Sequence, residues 1–192
     1  QYEEFYKQIG AGFNKPLLTL HNKVEGTLSY INLLFIPDSR PFDLFQMDVK
    51  SKIKLYSNRV LITDDSESIL PRWLRFVKGI VDTSDVDLNV SREMLQHNVT
   101  LNKISKALKK RVINELKKMK DKDQEKYSSF WNDFGSVLKE GIYEDFDLKT
   151  ELLELSKFQS MNENKLVFLS DYIEKMNTEQ KDIYYLAAEN KE

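Results

Sequence analysis

Apolar residues in the first half of the chain come in short runs that favour strands. Residues 27–36 are rich in aromatic and β-branched types and stop at Pro37, whose missing N–H group limits a strand. Similar runs recur further on, with helix-like segments between them. The predicted strands are 27–36, 53–62 and 76–81, and the predicted short helices are 41–45 and 66–74, the second capped by Ser66. Strands that alternate with helices favour a layered α/β unit, and pairing of these strands as hairpins is the open alternative.

The hydrophobic period lengthens in the second half of the chain to that of amphipathic helices. The clearest helix has apolar residues at three- and four-residue steps, namely Ile104, Ala107, Leu108, Val112, Leu116 and Met119. The other predicted elements are helices at about 123–134 and 147–158 with breaks at Gly135 and Gly141, a short helix capped by Ser170, and a buried strand at 183–188. Periodicity alone therefore supports an α/β unit followed by helices.

Composition excludes several classes of function. The 192 residues carry 29 basic and 31 acidic side chains, so we expect no strong non-specific attraction to nucleic acid or acidic membranes. The sequence has no cysteine, which excludes a disulfide framework, thiol catalysis and thiolate metal sites. No apolar run approaches the roughly 20 residues that span a bilayer. The chain opens at Gln1 on helical spacing without a leader pattern, which indicates a piece of a longer protein.

Histidine chemistry is equally restricted, because His21 and His97 are the only two histidines. Neither is accompanied by the Gly-x-Ser-x-Gly elbow of a hydrolase, and no His-Glu-x-x-His spacing offers a zinc site. The sequence also has no P-loop and no dinucleotide fingerprint. An autonomous hydrolase and a metal centre are therefore disfavoured.

The most informative chemistry lies in residues 73–96. An apolar strand leads into a polar loop at 82–89, and a helix follows whose first turn presents Ser91, Arg92 and Gln96. Arg92 and Gln96 are four residues apart and share a helix face. An arginine at a loop-to-helix junction suits anion capture, because its planar fork makes two charge-assisted hydrogen bonds.

A purely structural role for Arg92 is the open alternative at this point. Three aspartates of the same loop, Asp82, Asp85 and Asp87, could pair with the guanidinium and hold the loop in place. Chemistry alone favours this alternative, since most arginines close to aspartates are structural.

The order of short motifs along the chain resembles one known family. The motifs are the 73–96 stretch, Leu-Leu-Phe-Ile-Pro at 33–37, Pro-Phe-Asp-Leu-Phe at 41–45, Lys-Leu-Tyr at 54–56, Arg-Val-Leu-Ile-Thr-Asp at 59–64, Ile-Leu-Pro-Arg-Trp-Leu at 69–74, Lys-Tyr-Ser-Ser-Phe-Trp at 126–131, Val-Leu-Lys-Glu-Gly at 137–141 and Ile-Tyr-Tyr-Leu at 183–186. Together they resemble the middle domain of heat-shock protein 90 chaperones. The resemblance spans nearly the whole chain in family order.

This resemblance implies a role in ATP-driven protein folding. Arg92 would reach the γ-phosphate of ATP, with Gln96 beside it, in the manner of an arginine finger. ATP and magnesium would be held by an N-terminal ATP-binding domain, so this segment alone would bind no cofactor tightly and would not hydrolyse ATP. The implied partners are that domain, a C-terminal dimerisation domain, a second copy in a homodimer, and unfolded or partly folded clients, but neither nucleic acid nor a membrane.

The resemblance also implies the architecture and the setting. It predicts a layered α/β/α sandwich over residues 1–120, a small helical coil over 121–157, and the truncated start of a second α/β unit over 158–192. The Asn-Lys-Val-Glu-Gly stretch at 22–26 and the Lys-Tyr-Ser-Ser-Phe-Trp motif favour a bacterial-type or organellar member, and hence a bacterial cytoplasm or an organelle.

Aromatic residues offer a second role, in contact with clients or with another domain. Phe13 occupies a position where related chaperones carry an exposed residue implicated in client contact. Phe42, Leu44 and Phe45 follow a proline and are candidates for an exposed apolar edge. Core packing remains the alternative for all four residues.

A basic run supplies a rival hypothesis of another class. Residues 103–120 contain seven lysines and one arginine against one glutamate. Such a helix could dock on phosphates of nucleic acid or of lipid head groups without catalysis. Because no aromatic platform is interleaved with the basic residues, a solvated helix face is the simpler interpretation.

Overall fold

The computed structural model describes most of the chain. The described residues are 1–10, 15–46, 49, 52–64, 68–87, 94, 95 and 97–187. Within them lie seven strands, five helices of α type and two short 3₁₀ turns. None of the helices in this described part is long and apolar enough to cross a membrane.

A five-stranded mixed sheet forms the first half of the molecule. Its strands are β1 (Leu18–Val24), β2 (Tyr30–Ile36), β3 (Lys52–Ser57), β4 (Val60–Thr63) and β5 (Lys78–Thr83). The spatial order is β1-β2-β5-β3-β4, and only the β3–β5 pair is parallel. The long strand β2 thus lies between β1 and β5, with Leu34 opposite Leu20 on one side and Gly79 on the other.

Helices cover both faces of this sheet. The helices are α1 (Tyr2–Gln8), α2 (Val99–Lys122), α3 (Gln124–Glu144), α4 (Lys149–Leu155) and α5 (Leu169–Glu174). Successive side chains of a strand point to opposite faces. Leu34 and Ile36 therefore join the main core with α2 and α3, whereas Phe35 packs against Tyr6 of α1. The layered α/β/α prediction is confirmed for this part of the chain.

The predicted strand at 53–62 is wrong in one respect, because the chain turns back within it. Asn58 and Arg59 have φ angles of 50° and 68°, and these left-handed residues close a hairpin between β3 and β4. The other two predicted strands are present with shifted ends, as β2 and β5. Strand β1 was not predicted.

The two predicted short helices also differ from the structure. Residues 42–45 form a turn, closed by the Leu44 N–H group donating to the Pro41 carbonyl at 3.2 Å. Of the predicted helix at 66–74, the structure shows a 3₁₀ turn at Arg72–Leu74. The proposed cap, Ser66, lies outside the described residues.

Helix α3 runs through both glycines that the sequence indicated as breaks. Residues Gln124–Glu144 form one helix, so the predicted end near residue 134 is wrong. A Cβ atom on Gly141 would lie 2.6 Å from the Trp73 ring. The glycine therefore marks a close approach between α3 and the 3₁₀ turn at Arg72–Leu74.

The last described part departs most from expectation. The predicted helix at 147–158 ends at Leu155, and a two-stranded sheet of β6 (Lys157–Ser160) and β7 (Lys165–Phe168) follows. Helix α5 is capped at Phe168, whose N–H group donates to Asp171, so the predicted cap at Ser170 is wrong. Residues 183–187 form no strand and are exposed, because they have no partner strand in the described part of the chain. The division into units at 120 and 157 stays a prediction.

Candidate functional site

The loop that follows β5 is the first candidate site. Arg92 and Gln96, which the sequence places there, lie outside the described residues, and so does Phe13 of the predicted contact surface. The structure does describe both ends of the loop. Val86 on one side and Leu95 on the other are buried in the main core.

The upstream end of this loop is held by side-chain hydrogen bonds to two neighbouring elements. The buried Ser57 hydroxyl, at the end of β3, donates to the Val86 carbonyl at 2.5 Å. The Thr83 hydroxyl donates to the Ser29 carbonyl at 2.8 Å and accepts from the Asp85 N–H group at 3.2 Å. The backbone of 83–86 is therefore fixed immediately before the loop leaves the sheet.

Two of the loop aspartates bind backbone groups of the same scaffold. Asp82 accepts from the Arg59 N–H group at 3.2 Å, in the β3–β4 turn. Asp85 accepts from the Ser29 N–H group at 2.7 Å, in the β1–β2 connection. Whether Arg92 also pairs with an aspartate stays a prediction, since Arg92 lies outside the described residues.

The downstream end of the loop leads into α2 through a capped turn. The Asn98 side chain accepts from the Leu101 N–H group at 3.1 Å, so the long helix begins at Val99. The extended backbone of Asn98 separates α2 from positions 94 and 95. The predicted helical turn that presents Arg92 lies largely outside the described residues, and the long helix that contains Ile104 begins only at Val99.

An open depression of about 550 Å³ lies at this end of the sheet, beside the start of the loop. Its walls mix cationic, anionic and apolar side chains, including Lys23, Ile31, Arg59 and Asp82. Within the described ranges no group of three or more acidic or histidine side chains could hold a metal ion. The depression thus offers polar contacts beside the start of the loop.

The apolar turn at 41–45 is the second candidate site. Phe42 is fully exposed and Phe45 is half exposed, with the Arg40 guanidinium 5.2 Å from the Phe45 ring centre. Leu44 lies between them with only 1% of its surface exposed. The core-packing alternative therefore holds for Leu44, which is the buried anchor of the turn and not part of its outer surface.

One arginine that the sequence analysis did not single out fixes this turn. Arg75 is buried, and its Nε atom donates to the Leu44 carbonyl at 2.8 Å. Its Nη1 atom donates to the Arg72 carbonyl at 3.1 Å, and the two Nη atoms donate to the Glu140 carboxylate at 2.5 and 2.7 Å. Arg75 therefore joins three elements: the turn, the 3₁₀ segment and α3. No sequence motif distinguished it from the neighbouring Arg72.

Charged side chains surround the inner side of the same turn. Lys52 donates to Asp43 at 2.5 Å, and this bond lowers the pKa of the Asp43 carboxyl group. Lys78 is buried beneath them, and burial lowers the pKa of its ammonium group to about 8. The charge of Lys52 lowers the pKa of Lys78 further, and that of Asp43 raises it. Of these three charged groups next to the turn, Lys78 is therefore the one that is desolvated.

The basic run of α2 is largely neutralised within the fold. Lys109 pairs with Asp145 at 2.5 Å, in a half-buried bridge, and Lys106 pairs with Asp147 at 3.2 Å. Further contacts tie the helix to α4 and to its own Glu115. These are Lys117 with Glu154, Lys120 with the Glu154 carbonyl, and Arg111 and Lys118 with Glu115. The helix therefore binds acidic segments of its own chain rather than presenting a uniform basic face.

Comparison with known proteins gives one consistent family. A family model described as Hsp90 protein matches residues 1–192. The chain is 51% identical over 190 residues to the chaperone protein HtpG of Paramagnetospirillum magneticum, and 48% identical over 189 residues to that of Helicobacter pylori strain 26695. These alignments cover 99% and 98% of this chain but 30% of each relative.

A solved structure agrees with these sequence relatives. The middle domain of a heat shock protein from Plasmodium falciparum matches with a TM-score of 0.86 and 35% sequence identity. The match covers 98% of this chain and 74% of that chain. The likeness therefore extends to the three-dimensional arrangement of nearly every element.

Proposed function

Because the chain belongs to the Hsp90 family, we propose that it works as the middle segment of a longer ATP-driven chaperone. It supplies an arginine loop for ATP hydrolysis and an apolar surface for contact with clients or a neighbouring domain. The single observation that best supports this proposal is the structural likeness to a solved Hsp90 middle domain over 98% of the chain. The chain spans about 30% of the length of its curated relatives, so the other domains of the proposed chaperone lie outside this chain.

The proposed chemistry of the loop is electrostatic. Negative charge spreads over the oxygens of the transferring phosphoryl group, and a guanidinium fork placed against them lowers the barrier. Arg92 provides that fork and Gln96 is its neighbour, whereas ATP and its magnesium ion bind in the N-terminal ATP-binding domain. The burial of Val86 and Leu95 at the two ends of the loop supports this role, since a catalytic arginine requires a loop with fixed ends.

The proposed contact surface is the turn at 41–45, together with Phe13. Phe42 and Phe45 expose aromatic rings next to Arg40 and the Lys52–Asp43 pair, so an apolar centre has a charged rim. Such a surface suits transient contact with exposed apolar segments of partly folded proteins. Leu44 serves it indirectly, as the buried anchor.

The proposed assembly is a homodimer of the whole chaperone. The partners of this segment are its own ATP-binding and C-terminal dimerisation domains, together with client proteins. The HtpG relatives are bacterial, which supports a bacterial cytoplasmic setting over an organellar one. Within this segment we propose a sandwich over 1–120, a helical coil over 121–157 and the start of a second α/β unit over 158–192.

The rival proposal, phosphate docking through residues 103–120, has no observation in its favour. Six of the eight basic residues of that run contact carboxylates or a carbonyl of this chain, as described above for α2. Docking on a phosphate backbone would have to break those contacts. A steep loss of RNA or vesicle binding with salt would be needed to revive it.

The Arg92→Ala variant of the whole chaperone tests the proposal. We expect ATP turnover to fall by about a thousandfold, in the range known for arginine fingers, while ATP still binds with unchanged affinity. Gln96→Ala should give a smaller loss. Turnover that stays at the parent rate while ATP binding persists would show that the arginine role is wrong.

A further inference from the structure

The fixation of residues 83–86 has a consequence for the arginine loop. Three features hold this segment: the Ser57 hydroxyl on the Val86 carbonyl, the Thr83 hydroxyl on the Ser29 carbonyl, and the Asp85 carboxylate on the Ser29 N–H group. They approach it from two sides of β5. Ser57 belongs to β3, and Ser29 lies in the connection between β1 and β2.

Ser57 is the decisive member of this set because it is completely buried. Its side chain has no exposed surface, and its 2.5 Å bond ends on the carbonyl of Val86, itself buried. Asp85, by contrast, is exposed, so water can replace its bond to Ser29. A buried carbonyl that loses this side-chain donor must find another partner or move. Movement of Val86 would redirect the chain at the point where the loop begins.

We propose that Ser57 is a positioning residue for ATP hydrolysis, which acts by setting the direction in which the Arg92 loop leaves strand β5. This inference rests on the proposed function, since it presumes that Arg92 acts on ATP. Ser57 itself touches neither ATP nor the reacting atoms. Its effect passes through Val86, six residues before Arg92. Displacement of a catalytic group by about 1 Å is enough to cost about a hundredfold in rate.

The test compares Ser57→Ala with a matched control in the whole chaperone. Ser156 is also completely buried, and its hydroxyl also donates to a backbone carbonyl, that of Leu152 at 2.8 Å. Ser156→Ala therefore removes the same chemical interaction at a site in the α4–β6 connection, away from the loop. We expect Ser57→Ala to lower kcat for ATP by about tenfold with KM unchanged, and Ser156→Ala to leave both constants near parent values.

The double variant with Arg92→Ala separates positioning from a general structural effect. If Ser57 acts through Arg92, then Ser57→Ala should lower kcat no further once Arg92 is alanine. An equal tenfold loss in both backgrounds would overturn the proposal, as would parent-like kcat in Ser57→Ala. An Arg92→Ala variant with parent turnover would instead show that the proposed function fails, whatever Ser57 does.

A second variant keeps the test decisive should Ser57→Ala fail to fold. Thr83→Val preserves side-chain shape but removes the hydroxyl that binds the Ser29 carbonyl and the Asp85 N–H group. It loosens the same segment from its other side, so we expect the same fall in kcat without a change in KM. Ser57→Thr, which keeps a hydroxyl group at position 57, should restore the turnover that Ser57→Ala loses. Parent-like turnover in Thr83→Val would contradict the inference.

Discussion

Two groups of phenylalanine residues in this chain lie in opposite environments, one buried and one exposed. Phe76, Phe130 and Phe134 pack with ring centres 5.1 to 5.6 Å apart between the end of the 3₁₀ segment and α3, and all three are fully buried. Phe42 and Phe45 stand on a turn, with one ring fully exposed. The inner group has a helix to pack on. The outer group is held in place by the buried Leu44, and we propose that it is a contact surface rather than an incomplete core.

The largest expected effect is the difference in stability between alanine variants of the two groups. Phe134→Ala should lower the free energy of unfolding by about 3 to 5 kcal/mol, because it leaves a cavity among rings that cannot collapse fully. Phe42→Ala should change it by less than about 0.5 kcal/mol, because its ring is already in water. Urea unfolding of this chain followed by tryptophan fluorescence measures both.

Phe42→Ala, which should leave stability nearly unchanged, is expected to impair function. In the whole chaperone, Phe42→Ala should weaken suppression of client aggregation although the protein remains fully folded. A loss of more than about 2 kcal/mol in Phe42→Ala would mean that its ring packs into a core, and the contrast between the two groups would disappear.

The sequence predicted the elements whose signal is local. Apolar runs located β2 and β5, and the helical period of Ile104 to Met119 located α2, because these patterns depend only on which face of an element is buried. The hairpin between β3 and β4 was missed because its turn residues, Asn58 and Arg59, lack a glycine. An arginine with a positive φ angle lacks the sequence signal that a glycine provides at a turn.

Other features depend on contacts between distant residues and could not be read from local pattern. Gly141 looked like a helix break, but it is a helix position where the Trp73 ring comes too close for a side chain. Nothing in the local sequence distinguished Arg75 from a surface arginine, because its carboxylate partner, Glu140, is 65 positions away. The proposed role of Arg92 came from family resemblance, since its chemistry alone favoured a structural pairing.

An intermediate effect is expected where the two aromatic regions are joined, at the Arg75–Glu140 pair. Glu140→Ala should cost about 3 kcal/mol in unfolding free energy, because it leaves a buried guanidinium without its carboxylate. This value is at the low end for buried pairs, since the Glu140 side chain is 36% exposed. Arg75→Met should cost less, because the hydrophobic replacement leaves no buried charge and Glu140 can reach water.

The double variant Arg75→Met with Glu140→Ala decides whether the pair is coupled. We expect it to be more stable than Glu140→Ala alone, because the unpaired buried charge is gone. If the free-energy losses of the two single variants add in the double variant, then Arg75 and Glu140 are not energetically coupled. The Arg75 variants should also weaken client contact in the whole chaperone, through the lost bond to the Leu44 carbonyl.

The smallest expected effect is a pH dependence from Lys78, beneath the turn. Burial lowers its pKa in the folded protein to about 8 from an ordinary value of 10.5, so the unfolded chain binds this proton more tightly. Stability should therefore rise with pH between about 8 and 10.5, as the cost of burying the charged form disappears. Lys78→Met removes this contribution, so the parent should gain about 2 kcal/mol relative to that variant between pH 7 and pH 10. Urea unfolding of both proteins at the two pH values measures the difference. Parallel pH profiles of the two proteins would show that Lys78 keeps an ordinary pKa. The Lys78 ammonium group would then be hydrated, unlike the buried aromatic group.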